Sequence, residues 1–183
     1  MSILQLALNT LALAGIYALV ALGFALVINA VGAVNFAHGD LVMAGGFVAV
    51  LLAGLLDWPG FALMPLVVLA TGALGLGLSL LAYFPLRHGP PAGIYVSTIA
   101  VGLLLQNAVL NLFGAAPRRG PVLIDAAASG VPVQALASIA VAIAAIGGVY
   151  LVLRRSQLGR QLRATAQNPA MAEAIGRLTG GVA

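Results

Sequence analysis

Asn29-Ala30-Val31-Gly32-Ala33-Val34-Asn35-Phe36-Ala37-His38-Gly39-Asp40 is the stretch on which the reading of this chain turns. Two asparagines, two glycines, a histidine and an aspartate interrupt sequence that is otherwise almost continuously apolar. An unsatisfied backbone group in lipid costs several kcal/mol, so irregular structure survives there only inside protein or beside water. Two readings fit the spacing. The segment is a broken helix or hairpin facing the interior of a bundle, near a translocation path or gate. Alternatively, it is a plain cytoplasmic turn in which Asn35 or Asp40 caps the following helix. On the first reading Asn35, His38, Gly39 and Asp40 are candidate gate residues. His38 and Asp40 lie too close in sequence to share a helix face, and no second histidine or acid accompanies them. Neither a metal site, a proton relay nor a cofactor is expected.

The surroundings explain why so short an interruption matters. Of 183 residues, 62% are apolar and 7% charged, against about 25% charged in a soluble domain, and mean hydropathy is +1.13. That leaves too little polar surface to coat a globule in water. A soluble enzyme, a nucleic-acid-binding module and a disordered tail are excluded. The predicted fold class is all-α, a polytopic helical membrane protein. A span needs about 20 apolar residues, and the uncharged stretches accommodate five: 8–29, 37–56, 61–85, 93–114 and 133–153. The N-terminal stretch lacks a basic leader, and its apolar run from Leu11 to Ile28 is too long for a signal sequence. It reads as a retained first membrane helix. With no cysteine there is no disulfide framework and no thiol chemistry.

All eight basic residues are arginine, and five of them follow residue 153. With alternating spans, Arg87 and the five tail arginines share a side, leaving Arg118 and Arg119 opposite. The excess predicts a cytoplasmic tail and an external N-terminus. Turn chemistry supports the cuts at Asp57-Trp58-Pro59-Gly60 and His88-Gly89-Pro90-Pro91, which cannot remain helical. Small residues recur every four positions at Thr71, Gly75 and Ser79, at Gly45, Ala49 and Ala53, and at Ala140, Ala144 and Gly148. Such stripes let helix backbones approach closely in lipid.

Span four carries Ser97, Thr98, Gln106, Asn107 and Asn111. Asn107 and Asn111 stack on one face, and hydrogen bonding between helices is the plainer reading of that pair. Gln106 and Asn107 are kept as candidates for the path. Arg118 and Arg119 read as a solvated external face rather than a ligand clamp. Beyond span five, Asn168 is a good N-cap with Pro169 at the first helical position and Gly176 as a stop. Met171, Ala174 and Ile175 give a small apolar face. A helix of two turns is unstable alone, so docking onto a protein partner is expected.

Residues Ala33 to Gly46, with Asn35-Phe36-Ala37-His38-Gly39-Asp40 at their centre, strongly resemble the signature of LivH-type branched-chain amino-acid ABC transporter permeases. Gly15-Ile16-Tyr17-Ala18-Leu19-Val20-Ala21-Leu22-Gly23 looks like that family's first membrane helix, and Gly159 through Gly176 resembles its cytoplasmic coupling loop. The resemblance implies a permease subunit of an ATP-driven importer. It would be paired with a second permease subunit, two cytoplasmic ATP-binding subunits and a periplasmic or surface-tethered binding protein that delivers a hydrophobic amino acid. It assigns residues 154–183 as the coupling segment, with Gly159, Arg160, Arg163, Asn168, Pro169, Glu173 and Gly176 as its candidate residues. The permease performs no chemistry itself, in keeping with the absence of a Gly-x-x-x-x-Gly-Lys-[Ser/Thr] phosphate loop in a chain without lysine. Family members normally continue through further membrane helices, so this chain, ending at Ala183, is expected to be incomplete. Two other readings stand beside it: a related permease for urea or amides, and a channel or secondary-carrier half that needs no ATPase. An intramembrane enzyme fails for want of a convergent catalytic set.

Overall fold

The computed structural model describes residues 3–87, 89–123, 133–157, 159–160 and 162–163. Among these, five helices are long and apolar enough to cross a membrane, and no strand is present. They are α1 (Ile3–Val31), α2 (His38–Leu56), α3 (Gly60–Leu78), α4 (Pro91–Phe113) and α5 (Val133–Arg155). α3 runs on through a π turn, Ser79–Tyr83, and a 3-10 turn, Phe84–Leu86. At 1.5 Å per residue α1 is about 43 Å long, enough to overreach a hydrocarbon core of about 30 Å.

Each helix stops where its sequence demands. Gly32 closes α1 with φ +70° and an N–H that donates to the Ile28 carbonyl at 2.8 Å. Asp57 ends α2 in the left-handed region, φ 47°, donating to Ala53. Asp is one of the few residues that tolerate this conformation. Gly114 ends α4 with φ +76°, and the Arg118 guanidinium donates to the terminal Phe113 carbonyl at 2.9 Å. A cation is favourable at that negative helix end. Arg118 is therefore a cap rather than a freely solvated charge.

The helices fall into two groups. α1 packs along α5, and α2 packs between α3 and α4; α1 and α2 touch only sparsely. Contact is made by small residues, because lipid gives no hydrophobic drive between helices and close backbone approach must supply the attraction. A Cβ on Gly15 would sit 2.9 Å from the Ala142 Cβ, and one on Gly45 would sit 3.1 Å from the Thr71 side chain. Leu63, 1% exposed, is the one large side chain fully buried among the described residues. The Gly45 and Thr71 stripes do meet. The third stripe does not: Ala135 and Ala142 are the buried residues of α5, whereas Ala140, Ala144 and Gly148 stay exposed.

α2 begins inside the bundle rather than at its rim. Its first turn lies beside Val20 and Gly23 of α1, Gly75 of α3 and Thr98 to Gly102 of α4. Those positions are 7 to 11 residues from Val31, Leu86 and Pro91, the helix ends on that side. At 1.5 Å per residue the first turn of α2 is about 10–16 Å inside all three ends. Residues 32–37 run back down into the bundle to reach it.

Candidate functional site

Asn35 organises the start of α2. Its Oδ1 accepts from the Ala37 N–H at 3.0 Å, and its carbonyl accepts from His38 N–H at 3.3 Å. The first helical N–H groups have no acceptor within their own helix; the Asn35 carbonyl serves that of His38, while its side chain closes a turn onto Ala37, the residue before the helix. Asn35 thus shapes the turn that leads into α2 without capping it, and that turn lies in the bundle.

The descending segment is held to α4 on one side. The Phe36 N–H donates to Thr98 Oγ1 at 3.3 Å, and that hydroxyl donates to the Tyr95 carbonyl at 3.0 Å. Thr98 is 5% exposed. The Phe36 and Tyr95 rings meet edge to face at 5.9 Å. One turn further along α2, Gln106 Nε2 donates to Asp40 Oδ1 at 2.8 Å. The other carboxylate oxygen lies over Gly102, where a Cβ would collide with it. Asp40 is half-buried, so a hydrogen-bonded partner matters to it.

His38 turns the other way, toward α1. Its Nε2 lies 3.2 Å from the Val20 carbonyl, so the tautomer protonated there donates to it, and its ring is 5.8 Å from that of Phe24. A Cβ on Gly23 would stand 3.2 Å from the imidazole, so Gly23 makes room for it. Gly39 is exposed and a Cβ there would meet nothing.

Sequence candidates therefore divide. Asn35, His38, Asp40 and Gln106 converge around the first turn of α2. Asn107 does not join them: it is exposed, and its Nδ2 donates to the Leu103 carbonyl of its own helix at 2.7 Å. Asn111 likewise bonds Asn107 O at 2.8 Å. Gly102 and the role of Thr98 went unseen in the sequence. The signal was there, since Thr98, Gly102 and Gln106 recur every four residues and form one stripe along α4. Among the described residues no three His, Asp or Glu side chains gather.

A cavity of about 470 Å³ adjoins this first turn. Asn35, His38 and Thr98 are among its polar lining groups, and Leu26, Val27 and Leu78 are among its aliphatic walls. The π turn of α3 forms part of the wall through Ser79 and Tyr83. Such turns are costly, and inside helices they occur frequently at functional sites.

At the far end of α5 the described part of the coupling segment folds back on the helix. Gly159 N–H donates to Ser156 Oγ at 3.0 Å, Arg160 to the Arg155 carbonyl at 3.4 Å, and Arg163 to the Leu153 carbonyl. Gly159 lies so close to Leu153 O that no Cβ would fit. The arginines thus satisfy terminal carbonyls of α5, as cations do at helix C-termini. Asn168, Pro169, Glu173 and Gly176 lie outside the described residues.

Comparison with known proteins bears on this arrangement. Residues 6–182 match the family model described as branched-chain amino acid transport system, permease component. The high-affinity branched-chain amino acid transport system permease protein BraD of Pseudomonas aeruginosa is 31% identical over 190 residues, covering 94% of this chain and 62% of the relative. LivH of Escherichia coli, named for the same high-affinity system, is 29% identical over 191 residues with the same coverage. A probable LivH of Methanocaldococcus jannaschii is 26% identical over 168 residues, or 86% of this chain and 53% of its own. The chain thus spans somewhat under two thirds of the length of the relatives it matches. No solved structure matches it.

Proposed function

The chain belongs to the permease-component family of branched-chain amino acid transport systems, and from that premise we propose that it is a transmembrane subunit of an ATP-driven amino-acid importer. It is a transport subunit and not an enzyme; ATP hydrolysis falls to separate chains. Its partners are a second permease subunit, two cytoplasmic ATP-binding subunits and a substrate-binding protein outside. The names of the relatives, permeases of branched-chain amino acid transport systems, support a branched-chain or similarly apolar amino acid as cargo.

The observation that carries this reading is the start of α2 inside the bundle, at the level where the family motif Asn35 to Asp40 lies. Irregular backbone at membrane depth is tolerated only where it is buried in protein or lines a cavity, and transporters build substrate sites on such helix breaks. Asn35, His38, Asp40 and Gln106 form the gate or its support. The arginine excess beyond residue 153 favours a cytoplasmic tail and an external N-terminus. Residues 159–176 then engage the ATPases.

The test uses the full-length protein co-expressed with its ATP-binding and substrate-binding partner subunits. Uptake of labelled isoleucine should require ATP, and deletion of residues 160–176 should abolish co-purification with the ATPases. Co-purification that survives the deletion overturns the coupling assignment. Uptake that persists without ATP but collapses with an uncoupler overturns the importer reading in favour of a carrier.

A further inference from the structure

We propose that the cavity between α1, the π turn of α3 and α4 is the pocket that receives the aliphatic side chain of the transported amino acid. This rests on the importer reading above and places its specificity at named residues. Three observations carry it. The first is size. About 470 Å³ lies within the range of small-molecule pockets, about 300–1,000 Å³, and far exceeds a packing defect. The second is chemistry. Leu26, Val27, Leu78 and Val101 offer aliphatic walls, while Asn35 and His38 stand where α2 begins. Ser79, Tyr83 and Thr98 add further polar groups among the aliphatic ones, and a ligand that carries both an aliphatic and a polar part matches that mixed lining. The third is construction. The void exists because residues 32–37 descend into the bundle and because α3 switches to a π turn at Ser79–Tyr83. Both are departures from regular helix, and both border the same space.

Within this reading the walls discriminate by shape. A branched aliphatic group gains contact with Leu26, Val27 and Leu78 that a hydrogen or methyl side chain cannot make. A charged side chain would give up its hydration without a counter-charge on those walls.

The chain has no cysteine, so single-cysteine reporters can be placed in the native background. Ser79→Cys and Val101→Cys report from α3 and α4, and Arg119→Cys, exposed beyond the end of α4, serves as control. Labelling by methanethiosulfonate ethylammonium is followed in the assembled full-length importer, both nucleotide-free and trapped with ATP and vanadate. At isoleucine ten times its dissociation constant, labelling of both cavity reporters should slow about tenfold, following 1 + [L]/Kd. Glycine at the same concentration should leave it unchanged, and labelling of Arg119→Cys should be slowed by neither. Equal protection by glycine and isoleucine, protection of the control, or no reaction of either cavity cysteine in both states overturns the pocket. ATP-dependent isoleucine uptake without protection also overturns it while sparing the importer reading. Protection without ATP-dependent uptake supports the pocket and overturns the importer.

Discussion

Gly102→Ala probes the tightest approach in the site. A Cβ at this position would overlap Asp40 Oδ2, and α4 cannot retreat without separating from α2. The carboxylate must rotate away and give up its 2.8 Å bond from Gln106. Hydrogen bonds to charged groups contribute about 1.5–3 kcal/mol in general, but side-chain bonds measured between membrane helices average about 0.6 and reach about 1.7 kcal/mol. Asp40 is half-buried, which favours the membrane figures. Overpacking a tight site adds about 1–3 kcal/mol. Taken together, Gly102→Ala should destabilise the fold by about 2 kcal/mol, a shift of about thirtyfold in the folding equilibrium. The assay is reversible unfolding of the full-length protein by SDS in mixed micelles, followed through Trp58 at the α2–α3 turn. In an Asp40→Ala background there is no carboxylate to displace, and the same substitution should cost less than about 0.5 kcal/mol. An equal cost in both backgrounds refutes the reasoning, because Gly102 would then be serving something other than Asp40.

Three further expectations follow from the packing. Thr71 Oγ1 is buried without a hydrogen-bond partner, so Thr71→Val should be neutral or stabilising by up to about 1 kcal/mol in the same unfolding assay; a clear loss would show that the hydroxyl is used. Gly15→Ala would press its Cβ against Ala142 at 2.9 Å and should cost about 1–3 kcal/mol, with Ala142→Gly restoring most of it. Failure of that rescue would locate the strain elsewhere. Thr98→Val removes the acceptor for Phe36 N–H and should cost about 1–3 kcal/mol, and an unchanged midpoint would mean that water or another group takes its place.

Five apolar helices were legible in the sequence because charge is so sparse that every charged position marks a boundary. The start of α2 was only half legible. Asn35 announces a turn before a helix whether that helix begins at the rim or in the middle, and local chemistry is the same in both places. Depth is fixed instead by partners distant in sequence, Val20, Gly75 and Thr98, and spacing within one segment carries no information about them. The Asp40–Gln106 bond was out of reach for the same reason, although both residues stood out as polar groups in apolar surroundings. Gly102 stands in the stripe with Thr98 and Gln106, but its role as clearance for a carboxylate from another helix leaves no mark in the local sequence. The stripe at Ala140, Ala144 and Gly148 shows the opposite error. A valid close-packing pattern faces outward, and α5 meets α1 through Ala135 and Ala142 instead.

The division of the helices into α1 with α5 and α2 with α3 and α4 has a mechanical consequence. Segment 32–37 is the short covalent joint between the two groups, and most of it is already tied to the second. Phe36 is bonded to Thr98, Ala37 to Asn35, and Asp40 to Gln106. Gly32 is exposed, with positive φ and no neighbour within reach of a Cβ. His38 is the counter-tie, reaching back to Val20 of α1. Val31 and Ala33, on either side of Gly32, line the 470 Å³ void, so a change of backbone angle at this joint would reshape the cavity wall.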